Sequence, residues 1–233
     1  MKALVKNISA IALSAAGLMM ATTTLAYQQG DMILRAGGMQ FTPDVDSGNL
    51  KAGGADVNVG GAPTTVDVDN NSQLGLSLTY MLSDNLGLSL LASTPFNHTI
   101  TTKGGLSSLG KLADVKHMTP TLMVQYYPME KASAFQPYVG LGLNYTRFYD
   151  ESFKGTNKTS FTDLDLDDSL GLALQAGFDY ALADNVGLNA SISWADVDTQ
   201  ATFTGAGAFP GTRFKLDAEL DPMIYTLGVS YSF

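Results

Sequence analysis

Apolar and polar residues alternate along much of this chain. Leu74, Leu76, Leu78 and Tyr80 share one face of an extended segment, with Gln73, Gly75, Ser77 and Thr79 on the other. Leu86, Leu88 and Leu90 oppose Asn85, Gly87 and Ser89 in the same way. The pattern recurs at 139–145, at 170–180 and at 186–194, where the apolar row ends in Trp194. Strict alternation over these lengths predicts strands with one apolar and one polar face. Candidate strands lie at 31–42, 70–82, 85–97, 113–127, 136–150, 166–181, 185–200 and 214–233, eight in all. The connections alternate between short ones at 83–85, 128–135 and 183–185 and long ones at 43–69, 98–112, 151–165 and 201–213. Two short turns are near copies: "YMLSDNLGL" from Tyr80 and "YALADNVGL" from Tyr180 share six of nine positions. They read as two hairpins built alike, their Asp-Asn pairs tolerating left-handed or bent backbone.

The polar face decides which side is in. A water-soluble sandwich usually carries Lys, Glu and Thr outside, whereas here that face is Gly, Ser, Asn and Gln. Small uncharged residues suit a narrow interior, and Leu and Val rows ending in Tyr or Trp suit lipid bounded by an aromatic girdle. A sheet in lipid must close, because an open edge leaves N–H and C=O groups unpaired. The expected fold is all-β: an eight-stranded antiparallel transmembrane β-barrel with short periplasmic turns and long extracellular loops. An even strand number puts both termini on one side, the periplasmic one.

The ends of the chain fit export to a bacterial outer membrane. Lys2 and Lys6 precede the apolar run "IALSAAGLMMA", which is too short to span a bilayer, and Thr24 and Ala26 offer small residues for cleavage before Tyr27. Residues 1–26 are therefore expected to be a secretory signal and 27–233 the barrel. Both lysines leave with the signal and no acid does, taking the net charge from −9 to −11. That balance argues against nucleic acid as a partner. Charged residues make up only 15% of the chain, light for a water-exposed surface, and the absence of cysteine excludes disulfides and thiolate sites. The C-terminal "MIYTLGVSYSF" puts Tyr225, Leu227, Val229, Tyr231 and Phe233 on one face. It resembles the segment read by the barrel-insertion machinery of outer membranes, with Tyr231 and Phe233 as its signal.

The segments "LRAGGMQFTP", "NNSQLGLSLTYMLSDNLGLSLLASTPFNH", "LADVKHMTPTLMVQYYP", "QPYVGLGLNYTRFYD", "LDDSLGLALQAGFDYAL" and "DVDTQATF" run in order over nearly the whole mature chain. Together they resemble the OmpW family of small outer-membrane proteins. The resemblance implies a narrow, largely apolar lumen that passes small hydrophobic molecules. The long first loop is its least similar part, so solute preference does not carry over.

An eight-stranded barrel has an interior only wide enough for side chains, which argues against a general aqueous pore. Parity assigns Asn85, Gly87, Ser89, Leu91 and Ser93 to the lumen, with Leu91 as candidate constriction. It also turns Met123, Tyr127, Tyr138 and Phe148 inward, where they either line a path or simply fill the barrel. Trp194 falls on the outward row as a girdle residue. Pro95 and Pro120 sit in consecutive strands, past their middles towards the long loops. Proline gives no N–H to a ladder. Two in neighbouring strands mark either a lateral seam through which a solute could leave into lipid, or two strand ends.

The remaining chemistry is sparse. "DLDLDD" at 163–168 lacks the Gly and distal Glu of a calcium loop and, with Asp196, Asp198, Asp217, Glu219 and Asp221, reads as a solvated acidic collar. His98 and His117 flank the second long loop without a companion at catalytic or metal-site spacing. No enzyme activity, metal or cofactor is expected. The expected partners are outer-membrane lipid and lipopolysaccharide, the insertion machinery and small hydrophobic solutes. The competing reading is a structural or surface-receptor barrel that acts through its loops.

Overall fold

The computed structural model describes residues 27–130, 133–207 and 209–233. The expected signal at 1–26 lies outside the described residues. Eight strands form a closed antiparallel barrel: β1 (Met32–Thr42), β2 (Asn71–Met81), β3 (Leu86–Ser93), β4 (Thr121–Tyr126), β5 (Phe135–Phe153), β6 (Ser169–Ala183), β7 (Val186–Ala195) and β8 (Met223–Ser232). Each pairs with its neighbours in sequence, and β1 closes the ring on β8 from Ile33 opposite Ser232 to Thr42 opposite Met223.

The barrel is inverted with respect to a water-soluble one. Leu141 is 58% exposed and Leu170 is 70% exposed on the outer wall, while Thr79, Ser89, Asn144 and Asp179 inside are fully buried. Tyr80, Tyr126, Phe135, Tyr180 and Tyr231 form an outward aromatic ring at the end that carries the termini. Tyr145, Tyr225 and the half-buried Trp194 stand towards the opposite end. Tyr231 and Phe233 lie on the outer face with ring centroids 5.9 Å apart, and the Phe233 backbone bonds to Met32. An arginine at Leu174, which is half exposed on the wall between Leu141 and Trp194, is expected to cost about 2–4 kcal/mol for a site near the bilayer midplane. Leu174→Ala should cost far less. Unfolding by denaturant in lipid vesicles measures both, and equal costs would show that this row does not face lipid.

Two expectations about connections need correction. The Asp-Asn hairpins take the bent form expected of them rather than the left-handed one: among the described residues, the non-glycine positions with positive φ are Asp150, Asp163 and Asp221, and the lumen place expected of Asn85 is what fails. Ser83 Oγ instead accepts from the Leu86 N–H at 3.2 Å, closing the first turn. Asn85 is exposed rather than in the lumen, and its Nδ2 donates to the Tyr127 carbonyl at 2.7 Å. The backbone carbonyls of Asn85 and Asn185 accept from the N–H groups of Tyr127 and Ser232, so the two turns are tied to the next strand alike.

The long connections also carry strand, which lengthens the expected strands at 113–127, 185–200 and 214–233 beyond a break. Beyond short breaks the wall continues as Phe96–Gly104, Lys111–Met118, Asp198–Gly205 and Arg213–Glu219, joined by Ala62–Val68, Phe161–Leu166 and the outer part of the 19-residue β5. The physical reason is a change of solvent on each face. Along β8 and its extension the outer row reads Val229, Leu227, Tyr225, then Glu219, Asp217, Lys215. The inner row reads Ser230, Gly228, Thr226, then Leu220, Leu216, Phe214. Lipid outside and a polar filling inside give way to water outside and an apolar core inside. The polar outer residues make these strands look like loops when composition alone is read.

Candidate functional site

The interior has three levels. The uppermost is an apolar chamber inside the extensions, above the lipid-facing rows. Phe41, Ile100, Val115, Phe148, Leu166 and Phe203 are among its walls, and it encloses about 50 Å³. The aromatic walls pack edge to face or stacked, as with Phe203 and Phe214 at 5.0 Å and Phe161 and Phe203 at 5.3 Å. His98 and His117 also line it, stacked on each other with centroids 4.9 Å apart.

Below the chamber lies a collar of Met39, Phe41, Leu91, Phe96, Met123 and Ile224, all buried. Leu91 and Met123 project from the facing strands β3 and β4, where Leu91 opposes Thr121 and Met123 opposes Ser89.

Beneath the collar the lumen is closed by a charged and hydrogen-bonded plug. Arg35 from β1 reaches across to Asp179 on β6, with Nη2 to Oδ2 at 2.6 Å and Nε to Oδ1 at 3.1 Å. Its Nη1 donates to Thr79 Oγ1 and its Nη2 to the Tyr127 hydroxyl, each at 2.9 Å, and the guanidinium sits 4.8 Å from the Tyr138 ring centre. From Tyr127 a relay continues through Gln125 at 2.8 Å and Gln175 at 2.6 Å to Ser193 at 3.1 Å. Tyr27 and Asn189 donate to the two Asp179 oxygens at 3.0 and 2.9 Å. Glycine makes room for this filling: a Cβ on Gly177 would sit 2.6 Å from the Tyr138 ring. About 10 Å³ remains open there, at most a single water's worth. Gln175 shows why parity alone misleads about a lumen substitution. A lysine there reads as mild from the sequence pattern, yet the amide is buried and bonded on both sides.

At the level of the collar the β3–β4 ladder is interrupted. On the β3–β4 ladder Leu91 pairs with Thr121, and the next pair is Phe96 with His117. Residues 92–95 and 118–120 between them are unpaired across this seam. On the far sides pairing persists, with Thr94 N–H to Leu74 O at 2.9 Å and Tyr145 N–H to Pro120 O at 3.0 Å.

Titratable groups cluster on the extensions, outside the membrane. Asp196, Asp198 and Asp221 bring carboxylate oxygens within 4.8 Å of one another, and burial followed by the other two charges raises the pKa of Asp198. Burial, and then the neighbouring His98, push His117 down to about 3. Both rings lie above the lipid band, since the residues beside them on the outer face are Asn97 and Lys116. A histidine depressed on folding contributes stability that is fully present above the unfolded value near 6.5 and is lost as pH falls towards 3. Acidification from about pH 7 to about pH 4 is therefore expected to lower the protection factors of amides at 96–118, each rate being referred to the intrinsic exchange rate at that pH, before the barrel rows respond. Unchanged protection factors at 96–118 would show that the buried neutral ring costs the extensions nothing.

The OmpW family model matches residues 28–233. Outer membrane protein W of Vibrio cholerae is 44% identical over 210 residues, 89% of this chain and 91% of that protein. The Escherichia coli protein of the same name is 37% identical over 224 residues, 96% and 98% of the two chains. This chain belongs to the OmpW family. The crystal structure of the outer membrane protein OprG from Pseudomonas aeruginosa superposes on this OmpW-family barrel with a TM-score of 0.84 at 43% identity, covering 90% of this chain and 99% of that one.

Within this OmpW-family barrel Leu91, Met123, Tyr127, Tyr138 and Phe148 are buried in the interior, on different levels, whereas Asn85 is exposed. Phe148 lies in the chamber, Leu91 and Met123 in the collar, Tyr127 and Tyr138 in the plug. The lumen is thus apolar only in its outer part, against the resemblance-based expectation of a largely apolar interior. Pro95 and Pro120 both fall in the unpaired seam. Sequence reasoning missed Arg35 and Asp179. The available signal was a charge on the inward row of each strand, which lipid-facing parity leaves no other place to go.

Proposed function

We propose that this barrel passes small hydrophobic molecules through the outer membrane and releases them sideways into lipid. Its long-loop end faces outward and both termini lie in the periplasm. One observation carries the reading: an apolar chamber and collar stand above a hydrogen-bonded polar plug, while the wall beside the collar lacks ladder bonds. A solute that enters the chamber meets a hydrogen-bonded floor, and an apolar molecule cannot replace those bonds without leaving buried charge unpaired. The open side is the seam at 92–95 and 118–120, which faces the lipid-exposed rows of β3 and β4. Lateral release also delivers the solute past the polysaccharide layer, which obstructs hydrophobic molecules. Leu91 and Met123 are the narrowing it must pass, and Tyr231 with Phe233 the segment read on insertion.

The test compares uptake of a short alkane and of a sugar in cells with and without the protein. Alkane uptake should rise with the protein and sugar uptake should not. Leu91→Trp is expected to return alkane uptake to the level of cells lacking the protein, with the barrel still heat-modifiable on gels. Equal alkane uptake in all three strains would remove the transport reading and leave a barrel that acts through its surface.

A further inference from the structure

We propose that residues 44–59 form a strap over the side of the apolar chamber, and that solutes enter by parting the strap from Ala62–Val68. The inference rests on the transport reading above and adds an entrance gate to it.

The chamber is closed as it stands. It encloses about 50 Å³, whereas a cavity of about 150 Å³ is what holds one benzene. A solute therefore has to move a wall. The floor is pinned by the collar and by the Arg35–Asp179 pair. Runs of paired residues join Phe96–Gly104 to Lys111–Met118 and Asp198–Gly205 to Arg213–Glu219.

Between Arg213–Glu219 and Ala62–Val68 the wall is built differently. Leu216 and Ala218 on one side and Val66 and Val68 on the other line the chamber, and the strap lies between these staves. Towards Arg213–Glu219 it has ladder pairs, with Asp46 opposite Glu219, Ser47 opposite Ala218 and Ala52 opposite Phe214. Towards Ala62–Val68 it has none. Side chains stand in for the ladder there. Ser47 Oγ accepts from the Val66 N–H at 3.0 Å, Asn49 Oδ1 accepts from the Thr64 N–H at 2.8 Å, and Thr64 Oγ1 donates to the Val57 carbonyl at 3.0 Å. One backbone bond joins them, Leu50 N–H to Thr64 O at 3.0 Å. Water takes over such bonds when the edge parts, so each holds it only weakly.

The inner side of the strap is the seal. Leu50 is buried in the chamber's apolar core, and Val45, Ala52 and Val57 pack against that core. An apolar solute offers the chamber the same burial that Leu50 gives up, and a sugar does not. The solute thereby favours the open state by its differential affinity. The turns of the strap at Gly53–Gly54 and Gly60–Gly61 have positive φ, and a Cβ on any of the four would touch nothing within 4 Å, so nothing packed on them resists the movement. The outer part of β5 also meets Phe161–Leu166 without a ladder, but there Phe153 packs on Phe161 and on Phe203 with ring centroids 5.5 Å apart. Parting that edge would separate stacked aromatics, which the edge of the strap lacks.

The chain contains no cysteine, so introduced thiols are the only ones it carries. Asp46 on the strap and Asp67 on the neighbouring stave are both exposed. In cells carrying Asp46→Cys with Asp67→Cys, a short bifunctional thiosulfonate joins the two positions, mass spectrometry verifies the bridge, and a reducing agent removes it. Octane uptake should fall on bridging to the level of cells lacking the protein and recover on reduction, in the same folded barrel. A monofunctional thiosulfonate, which caps both thiols without joining them, should leave uptake near its starting value. Ser47→Ala removes one side-chain bond across the edge and should raise octane uptake about fivefold. Full uptake by the bridged barrel, or caps that block as well as the bridge, would overturn the strap as the gate and leave transport standing. A Ser47→Ala barrel that inserts and shows no rise would overturn it too. If wild-type cells take up octane no faster than cells lacking the protein, the transport reading fails and this one with it.

Discussion

Arg35→Leu is expected to destabilise the folded barrel by about 3–5 kcal/mol, the range seen when one partner of a buried ion pair is removed. Asp179 is fully buried and takes its shortest bond from Arg35. Without the guanidinium it keeps only Tyr27 and Asn189 as donors, and a carboxylate in that surrounding is strongly disfavoured. Thr79 and Tyr127 also lose the donor that orients them, which frees the head of the Gln125–Gln175–Ser193 relay. Arg35→Lys should fall between, since an ammonium cannot reach Asp179, Thr79 and Tyr127 at once in the fork geometry of Arg. The double change Arg35→Leu with Asp179→Leu removes both charges and should cost less than the sum of the single changes. Denaturant midpoints in lipid vesicles, arranged as a double-mutant cycle, measure this. A cost below about 1 kcal/mol for Arg35→Leu would mean that the pair is no more than a surface-strength contact.

The second large effect concerns transport, and here the structure separates two prolines that look equivalent in the sequence. In an extended strand the backbone polar groups of one residue point to one neighbour and those of the next residue to the other. Thr94 directs its N–H to Leu74 on β2, so the donor position of Pro95 turns to β4 and the seam. Pro120 accepts from Tyr145 with its carbonyl, so its missing donor faces β5 instead. Pro95→Val should therefore supply a bond across the gap, worth about 1 kcal/mol, and reduce the open population of the seam about fivefold. Alkane transfer should fall by a similar factor, with stability held or raised because Val favours strand geometry. Pro120→Val should leave transfer nearly unchanged while tightening β4 to β5. Closure is opposed by one feature: four residues on the β3 side face three on the β4 side, so a bulge has to be absorbed. Undiminished transfer in a correctly inserted Pro95→Val barrel would place the exit elsewhere.

What the sequence by itself determined is the wall. Period-two alternation is a local property, and lipid imposes it residue by residue on strands such as 170–180, so the rows of Leu and Tyr, the number of staves and the girdle were all readable without a fold. The outward place of Trp194 and the inward places of Leu91, Met123, Tyr127, Tyr138 and Phe148 followed from counting by twos. The filling was decided only by tertiary structure. Arg35 and Asp179 lie 144 residues apart on strands that do not pair, and meet only because closure sets β1 and β6 across one narrow lumen. The unpaired His98 Nε2 and His117 Nδ1 likewise lose contact with water only once the extensions fold over them. Which proline faces the seam depends on the phase of hydrogen bonding at Thr94 and Tyr145, and side-chain alternation does not report that phase. The apolar interior of the extensions stayed hidden for the same kind of reason: alternation says that two faces differ, and only the position along the closed barrel says whether the outer one meets lipid or water.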